Sequence, residues 1–164
     1  MDPSSQFTLP RTGHVLANRS VLAAMTNKQS HEDGTLSDEE IRWLVRRAKD
    51  GFAITTTAAA NVTEHGRGWE GEMGVWGDHQ LPGLTKMATQ LKATGTLSLA
   101  QIFHGGMRAP QSLNHVQPIS ASENTEAGMD GLYTRALTHD EVLGMIESFT
   151  DAAVRCQKAG FDGV

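Results

Sequence analysis

Gly95-Thr-Leu-Ser-Leu-Ala-Gln-Ile-Phe-His-Gly-Gly-Met-Arg108 is the stretch whose reading decides the fold. Gly95 stops a helix. Leu97, Leu99 and the run from Ala100 to Phe103 then suit a strand buried on both faces, as in a parallel sheet. Gln101 and His104 fall where that strand ends, and Gly105-Gly106 lets another molecule approach the backbone. In α/β proteins ligands bind at that end of the sheet.

A cadence repeats on either side. Ser37-Asp-Glu-Glu40 reads as a capping box, followed by Ile41, Leu44, Val45 and Ala48 at helical spacing. Gly51 ends that helix, and Phe52–Thr57 reads as a strand rich in β-branched residues. Leu84, Met87, Ala88 and Leu91 form a second helical stripe, stopped by Gly95. Thr138-His-Asp-Glu141 is another capping box, and Val142, Met145, Ile146, Phe149, Ala153 and Cys156 make a third stripe. Gly160 stops it, and Phe161-Asp-Gly-Val164 starts a further strand. Val21–Ala24 reads as a strand ahead of the first helix. The order β-α-β-α-β-α-β predicts an α/β fold with a parallel sheet and right-handed crossovers.

A closed (β/α)8 barrel needs roughly 250 residues. The 164 residues here hold about half of its repeating pattern. The expectation is a single unit, residues 1–164, forming about the first half of a parallel (β/α)8 TIM barrel, a fragment of a larger barrel. A complete small open sheet of four strands is the alternative. Two segments, 61–80 and 104–137, break the cadence and read as long loops at the C-terminal ends of strands, where barrels place their active-site loops.

The bulk numbers narrow the function. The net charge is −5, and the densest basic cluster is the pair Arg46-Arg47, which argues against a nucleic-acid partner. No stretch approaches the roughly 18 apolar residues that span a membrane. The N-terminal Met-Asp-Pro-Ser-Ser-Gln lacks the parts of a signal peptide, and the lone Cys156 has no partner for an internal disulfide, so a cytoplasmic location is expected.

Gly66-Arg-Gly-Trp-Glu-Gly71 matches G-x-G-x-x-G, but no helical stripe follows it, so it reads as a loop and not as a dinucleotide fingerprint. The seven histidines show no close metal-ligand spacing; only His104 stands at a strand end. Cys156 lies on an apolar helix stripe and reads as an inert core thiol. Ala23-Ala24-Met25-Thr26 ends the first strand with small residues that let backbone N–H groups approach a planar ligand, and Thr26 adds a hydroxyl. Gln101 reads as a buried amide, which needs a partner carrying donors and acceptors, because leaving it unpaired costs roughly 1–3 kcal/mol. The pyrimidine edge of a flavin is one such partner; neighbouring backbone is the other.

Taken in order, these pieces resemble the old yellow enzyme family of FMN-dependent ene reductases. The resemblance runs through Leu16-Ala-Asn-Arg-Ser-Val-Leu-Ala-Ala-Met-Thr26, Thr57-Ala-Ala-Ala-Asn61 with Gly66-Arg67, Gly74-Val-Trp-Gly-Asp78, Gln101-Ile-Phe-His-Gly-Gly, Pro118-Ile-Ser-Ala-Ser122 and Ala159-Gly-Phe-Asp-Gly-Val164. It implies a TIM barrel with FMN at the C-terminal mouth, reduced by NAD(P)H, with a small-molecule activated alkene as hydride acceptor. By resemblance, backbone at Ala23, Ala24 and Met25 faces the reactive edge of the flavin. Thr26 bonds the ring, Ala59 lies against it, and Gln101 holds its pyrimidine edge. Lys28 stands where one subgroup places a substrate-contacting Tyr. The family's carbonyl-binding His pair and Tyr proton donor are expected beyond Val164, so no catalytic residue falls within the chain and the chain alone is expected to be inactive. Two other readings stand beside this one: a non-catalytic half-barrel that self-associates or pairs with a separate C-terminal half, and an FMN barrel of the dihydroorotate or dihydrouridine type.

Overall fold

In the computed structural model, residues 2–125 and 133–164 are described. The elements run β1 (Phe7–Thr8), β2 (Val15–Leu16), β3 (Val21–Leu22), α1 (Asp38–Lys49), β4 (Ile54–Asn61), β5 (Met73–Gly74), α2 (Leu81–Lys92), β6 (Leu97–Phe103), α3 (Gln111–Asn114), β7 (Ile119–Ser120), β8 (Asn124–Thr125), β9 (Tyr133–Ala136) and α4 (His139–Ala159).

The centre is a parallel sheet. β4 has β6 on one side along most of its length, and β3 on the other side at Ile54 and Thr55. Where β3 no longer pairs, β5 takes the place beside β4 at Ala60 and Asn61, also parallel. The segment 61–80, read from sequence as loop, therefore contributes a short strand. Phe161–Val164 adds the next parallel neighbour through a bridge of Gly163 to Leu99. Asp162 N–H donates to Ser98 O at 3.0 Å, and Ala100 N–H donates to Gly163 O at 3.0 Å. The Asp162 carboxylate also accepts from the Ser98 N–H (2.8 Å) and hydroxyl (2.9 Å), so this end is tied by side chain as well as backbone.

The helices cover one face. They meet in a core of Ile41, Leu44, Leu84, Met87, Leu91, Ala152 and Cys156, which packs on Ala60 and Ala100 of the sheet. Of the stripe expected on α4, Val142 and Ile146 are exposed, because only the C-terminal half of that helix lies in the core. α2 lies between α1 and α4. Two helices end as the sequence predicts, on glycines in the left-handed region: Gly51 at φ 110° and Gly160 at φ 99°. The Thr138–Glu141 capping box forms in full. The expected box at Ser37 forms only by half. Ser37 accepts from the Glu40 N–H, but the Glu40 side chain does not reach back. It is buried and turned toward Asn27 and Ser30 instead.

On the opposite face, the antiparallel pair β1–β2 brings Leu16 onto Ala53 and Leu97, with Leu9, Ile54 and Leu99 alongside. These residues mark the N-terminal ends of β4 and β6. The hairpin thus closes the bottom of the sheet's inner face and leaves the C-terminal end free. The second irregular segment, 104–137, holds α3 and a small sheet ordered β7–β9–β8.

Leu84 is fully buried at the junction of the helices and the sheet. Leu84→Ala is expected to lower stability by about 2–5 kcal/mol through lost burial and a residual cavity. Urea denaturation measures this; a loss below about 1 kcal/mol would contradict the packing described.

Candidate functional site

The site is built on an irregularity in the β4–β6 ladder. Thr56 pairs with Leu99, and the next pair is Ala59 with Gln101, so β4 carries one extra residue there. This is a β-bulge, and it shifts the alternation of β4 by one. Below it, Ile54 pairs with Leu97 on the inner face; above it, Ala59 and Asn61 pair with Gln101 and Phe103. Ala60 is thereby turned into the helix-side core. The two sequence-predicted contacts Ala59 and Gln101 come together as cross-strand neighbours at the C-terminal half of the sheet.

Their environments differ from expectation in one respect. Ala59 is buried, but the Gln101 side chain is exposed. The physical reason is topological: the helices cover the other face and the β1–β2 hairpin covers only its lower end. The Gln101 carboxamide has no hydrogen-bond partner among the described residues, so its satisfaction by neighbouring backbone is not met there.

Ala23–Thr26 continues from β3 at the same end of the sheet, with Ala24 half-buried and Ala23, Met25 and Thr26 exposed. Lys28 is exposed, in the left-handed region at φ 54°. This segment is held from below by Glu40, which accepts from Asn27 Nδ2 at 3.0 Å and from the Ser30 hydroxyl. Burial pushes the Glu40 carboxyl up from its ordinary value, against the opposing pull of Ser30 and Asn27. The segment is also fastened to the 66–72 loop by Ser30 N–H donating to Gly71 O at 3.1 Å. Gly71 is required there: its φ is 71°, and a Cβ would lie 2.7 Å from Lys28 O.

A second buried carboxylate shapes that loop. Glu72 Oε2 accepts from the Gly68 N–H at 2.6 Å, while Oε1 has no partner. Burial pushes its carboxyl up to about 7, against the pull of the Gly68 and Trp69 N–H groups and of Arg67. Trp69, carried on the same loop, packs on Phe103 with ring centroids 5.5 Å apart. From sequence alone Glu72 has no role and Glu40 only that of a cap. Neither buried position has a local signal, because the groups that enclose them come from other segments.

His104 is not brought to Gln101. It follows Ile102 onto the helix-side face and lines a cavity of about 290 Å³ with Thr63, Ile119 and Met145. Its Nδ1 accepts from the Gly106 N–H at 2.9 Å, which places the proton of the neutral ring on Nε2. Burial lowers its pKa, favouring that neutral form. Cys156 is buried and its thiol is pushed up to about 11 by desolvation, as befits an inert core thiol. The Gly66–Gly71 stretch forms a turn with no helix directly after it. Among the described residues, no group of three His, Cys, Asp or Glu side chains could hold a metal, and no helix is long and apolar enough to cross a membrane.

A model of the NADH:flavin oxidoreductase / NADH oxidase family matches residues 11–164. The chain is 36% identical over 155 residues to the probable NADH-dependent flavin oxidoreductase YqiG of Bacillus subtilis, covering 94% of this chain and 41% of that protein. It is 35% identical to the NADH:fumarate oxidoreductase of Klebsiella pneumoniae, covering 96% of this chain and 17% of that protein. Among solved structures it resembles the old yellow enzyme homologue from Zymomonas mobilis with a TM-score of 0.90 at 24% identity, over 100% of this chain and 47% of that one. The chain thus spans less than half the length of these proteins, and its parallel sheet with helices corresponds to a part of their barrel.

The raised carboxyl of Glu72 sets a pH dependence. Its ordinary value is 4.5 and its folded value about 7, so the folded state keeps a proton that the unfolded state releases between them. Its contribution is fully present below about pH 4.5 and is lost as pH rises through 7, by about 3 kcal/mol at most. Glu72→Gln keeps the acceptor for Gly68 and removes the titration. Denaturation at pH 5 and pH 8 is expected to show a smaller loss for the variant than for the wild type; equal losses would contradict this assignment.

Proposed function

The chain belongs to the NADH:flavin oxidoreductase / NADH oxidase family, and from that premise we propose that it is the N-terminal part of an FMN-dependent ene reductase, taking electrons from NAD(P)H and passing hydride to a small activated alkene. The observation that carries the proposal is the pair Ala59–Gln101, side by side at the C-terminal end of the parallel sheet, with a carboxamide free of other partners among the described residues. That donor and acceptor set fits the pyrimidine edge of a flavin, and the methyl side chain of Ala59 leaves room for a flat ring beside it. The relative whose name gives fumarate as its oxidant acts on an alkene activated by carboxyl groups, which supports the substrate class.

When bound, FMN supplies the hydride chemistry, accepting from the nicotinamide and donating to the alkene. The residues of this chain bind and orient. Gln101 fixes the ring by hydrogen bonds to its pyrimidine edge. Ala59 bounds it on one side. Backbone at Ala23, Ala24 and Met25 lies along its reactive edge, and the Thr26 hydroxyl tunes its potential. Lys28 reaches the alkene side. Glu40 holds the segment that carries Ala23 to Lys28, and Glu72 holds the 66–72 loop fastened to it through Ser30 and Gly71. We assign no proton donor and no carbonyl-binding pair among residues 1–164; those roles fall to the remainder of the barrel, and turnover requires it.

A second reading, a non-catalytic half-barrel that pairs with itself or with a separate C-terminal half, is favoured by the exposed apolar side chains Val142, Leu143, Ile146 and Val154 on α4. Sedimentation of the purified chain tests this: the reading expects dimers or larger species at micromolar concentration, and a monomer counts against it.

The leading reading is tested in a barrel completed with the C-terminal half of a relative. Gln101→Ala is expected to weaken FMN binding by about 1–2 kcal/mol, the scale of lost hydrogen bonds. Thr26→Ala is expected to shift the flavin midpoint potential while affinity stays nearly unchanged. An assembled barrel that binds FMN and is indifferent to both substitutions would overturn these residue assignments.

A further inference from the structure

We propose that Thr57 is a positioning residue whose hydroxyl closes the β4 bulge and so sets Ala59, rather than Ala58, beside Gln101 on the inner face. The proposal rests on the reading of Ala59 and Gln101 as flavin contacts for its functional meaning. Its structural basis is independent of that reading.

The argument starts from the ladder. Between Thr56–Leu99 and Ala59–Gln101, β4 advances three residues while β6 advances two. An extra residue interrupts the regular exchange of backbone hydrogen bonds, and a buried N–H beside it needs another acceptor. Thr57 provides it. Its Oγ1 accepts from the Gln101 N–H at 3.1 Å and donates to Ala58 O at 2.6 Å. The side chain is fully buried, so no water competes for that acceptor. One hydroxyl therefore serves the N–H of the residue read as holding the flavin edge and a carbonyl at the bulge itself.

The alternative arrangement is a ladder without the bulge. Continuing the lower register would put Ala58 and Ala60 opposite Gln101 and Phe103, because a one-residue slip exchanges the two faces of a strand. Ala59 would then turn toward the helices, and Ala60 would leave the core where it packs with Ala100. Ala58, Ala59 and Ala60 are alike in bulk, so at the bulge itself packing discriminates weakly, although a slip carried to the strand end would also take Val62 out of the helix-side core. A hydroxyl that fits only the bulged register discriminates directly. Without it, the Gln101 N–H has lost its acceptor, at a cost large enough to favour the slip.

The test uses the full 164-residue chain with Thr57→Val, which keeps the side-chain shape, and Thr57→Ser, which keeps the hydroxyl. NMR reads amide exchange at Gln101, proximity of the Ala59 methyl to Gln101, and shifts of the Gln101 side-chain amide on adding FMN. In Thr57→Val, exchange at Gln101 is expected to quicken about tenfold, the effect of one lost hydrogen bond. The Ala59–Gln101 cross-peak and the FMN shifts seen in wild type are expected to be lost, while amides of α2 keep their protection. Thr57→Ser is expected to stay within about twofold of wild type on every readout. A Thr57→Val chain with wild-type protection and an intact cross-peak overturns the proposal, as does a Thr57→Ser chain that behaves like Thr57→Val. If Thr57→Val does not fold, Thr57→Ala against Thr57→Ser makes the same comparison, and the same results support or overturn the proposal. The FMN shifts are read in the chain completed with the C-terminal half of a relative; their absence there contradicts the flavin reading, and the exchange and proximity data from the 164-residue chain still decide the role of Thr57.

Discussion

The parallel pairing of β4 with β6 is the constraint on which the rest depends. The two strands run together from Ile54–Leu97 to Asn61–Phe103 and define both faces of the sheet. One face is covered by α1, α2 and α4, whose buried apolar residues meet there, while Val142 and Ile146 of the α4 stripe stay exposed. The other is closed at its lower end by the β1–β2 hairpin. What remains is the upper inner face, where Gln101 stands with its carboxamide uncommitted. Ligand position in this fold class follows from that geometry, since the helices and connections leave the C-terminal strand ends as the place where loops converge.

Around this face the chain places buried carboxylates where apolar residues would cost less. Glu40 grips Asn27 and Ser30 below the segment that leads from β3, and Glu72 grips the Gly68 N–H in the neighbouring loop. The two loops are joined by the Ser30–Gly71 backbone bond. Desolvation raises both carboxyls, so each disfavours its own charged form while ordering the loop above it. The segment that carries Met25, Thr26 and Lys28 is thus fixed, directly and through the 66–72 loop, by polar contacts specific in direction, which is what orienting a planar ligand requires.

Much of the fold is legible in the sequence because it is carried by local periodicity. The stripes at Ile41, Leu84 and Met145 mark three helices, the apolar run at Leu97 marks the central strand, and Gly51 and Gly160 mark stops. The parallel order of the sheet follows from their alternation. What local pattern misses is non-local. Two-residue strands such as β1, β2 and β5 have no period to detect. The bulge at Thr57 is a property of two strands in register, and Thr57 alone reads as one β-branched residue among several. Glu40 reads as the second half of a capping box, and only the position of Asn27 and Ser30 shows otherwise. Gln101 falls at the expected strand end, but its exposure depends on what covers the inner face, which no local pattern records. The pairing of Ala59 with Gln101 is legible only through family resemblance.

The central claim is that this upper inner face reads a flavin ring. The most direct measurement is a crystal structure, with FMN, of a barrel completed around this chain. The account predicts the flavin's pyrimidine edge within hydrogen-bond distance of the Gln101 carboxamide and its ring against Ala59. A flavin bound elsewhere, with Gln101 and Ala59 facing solvent, would contradict it.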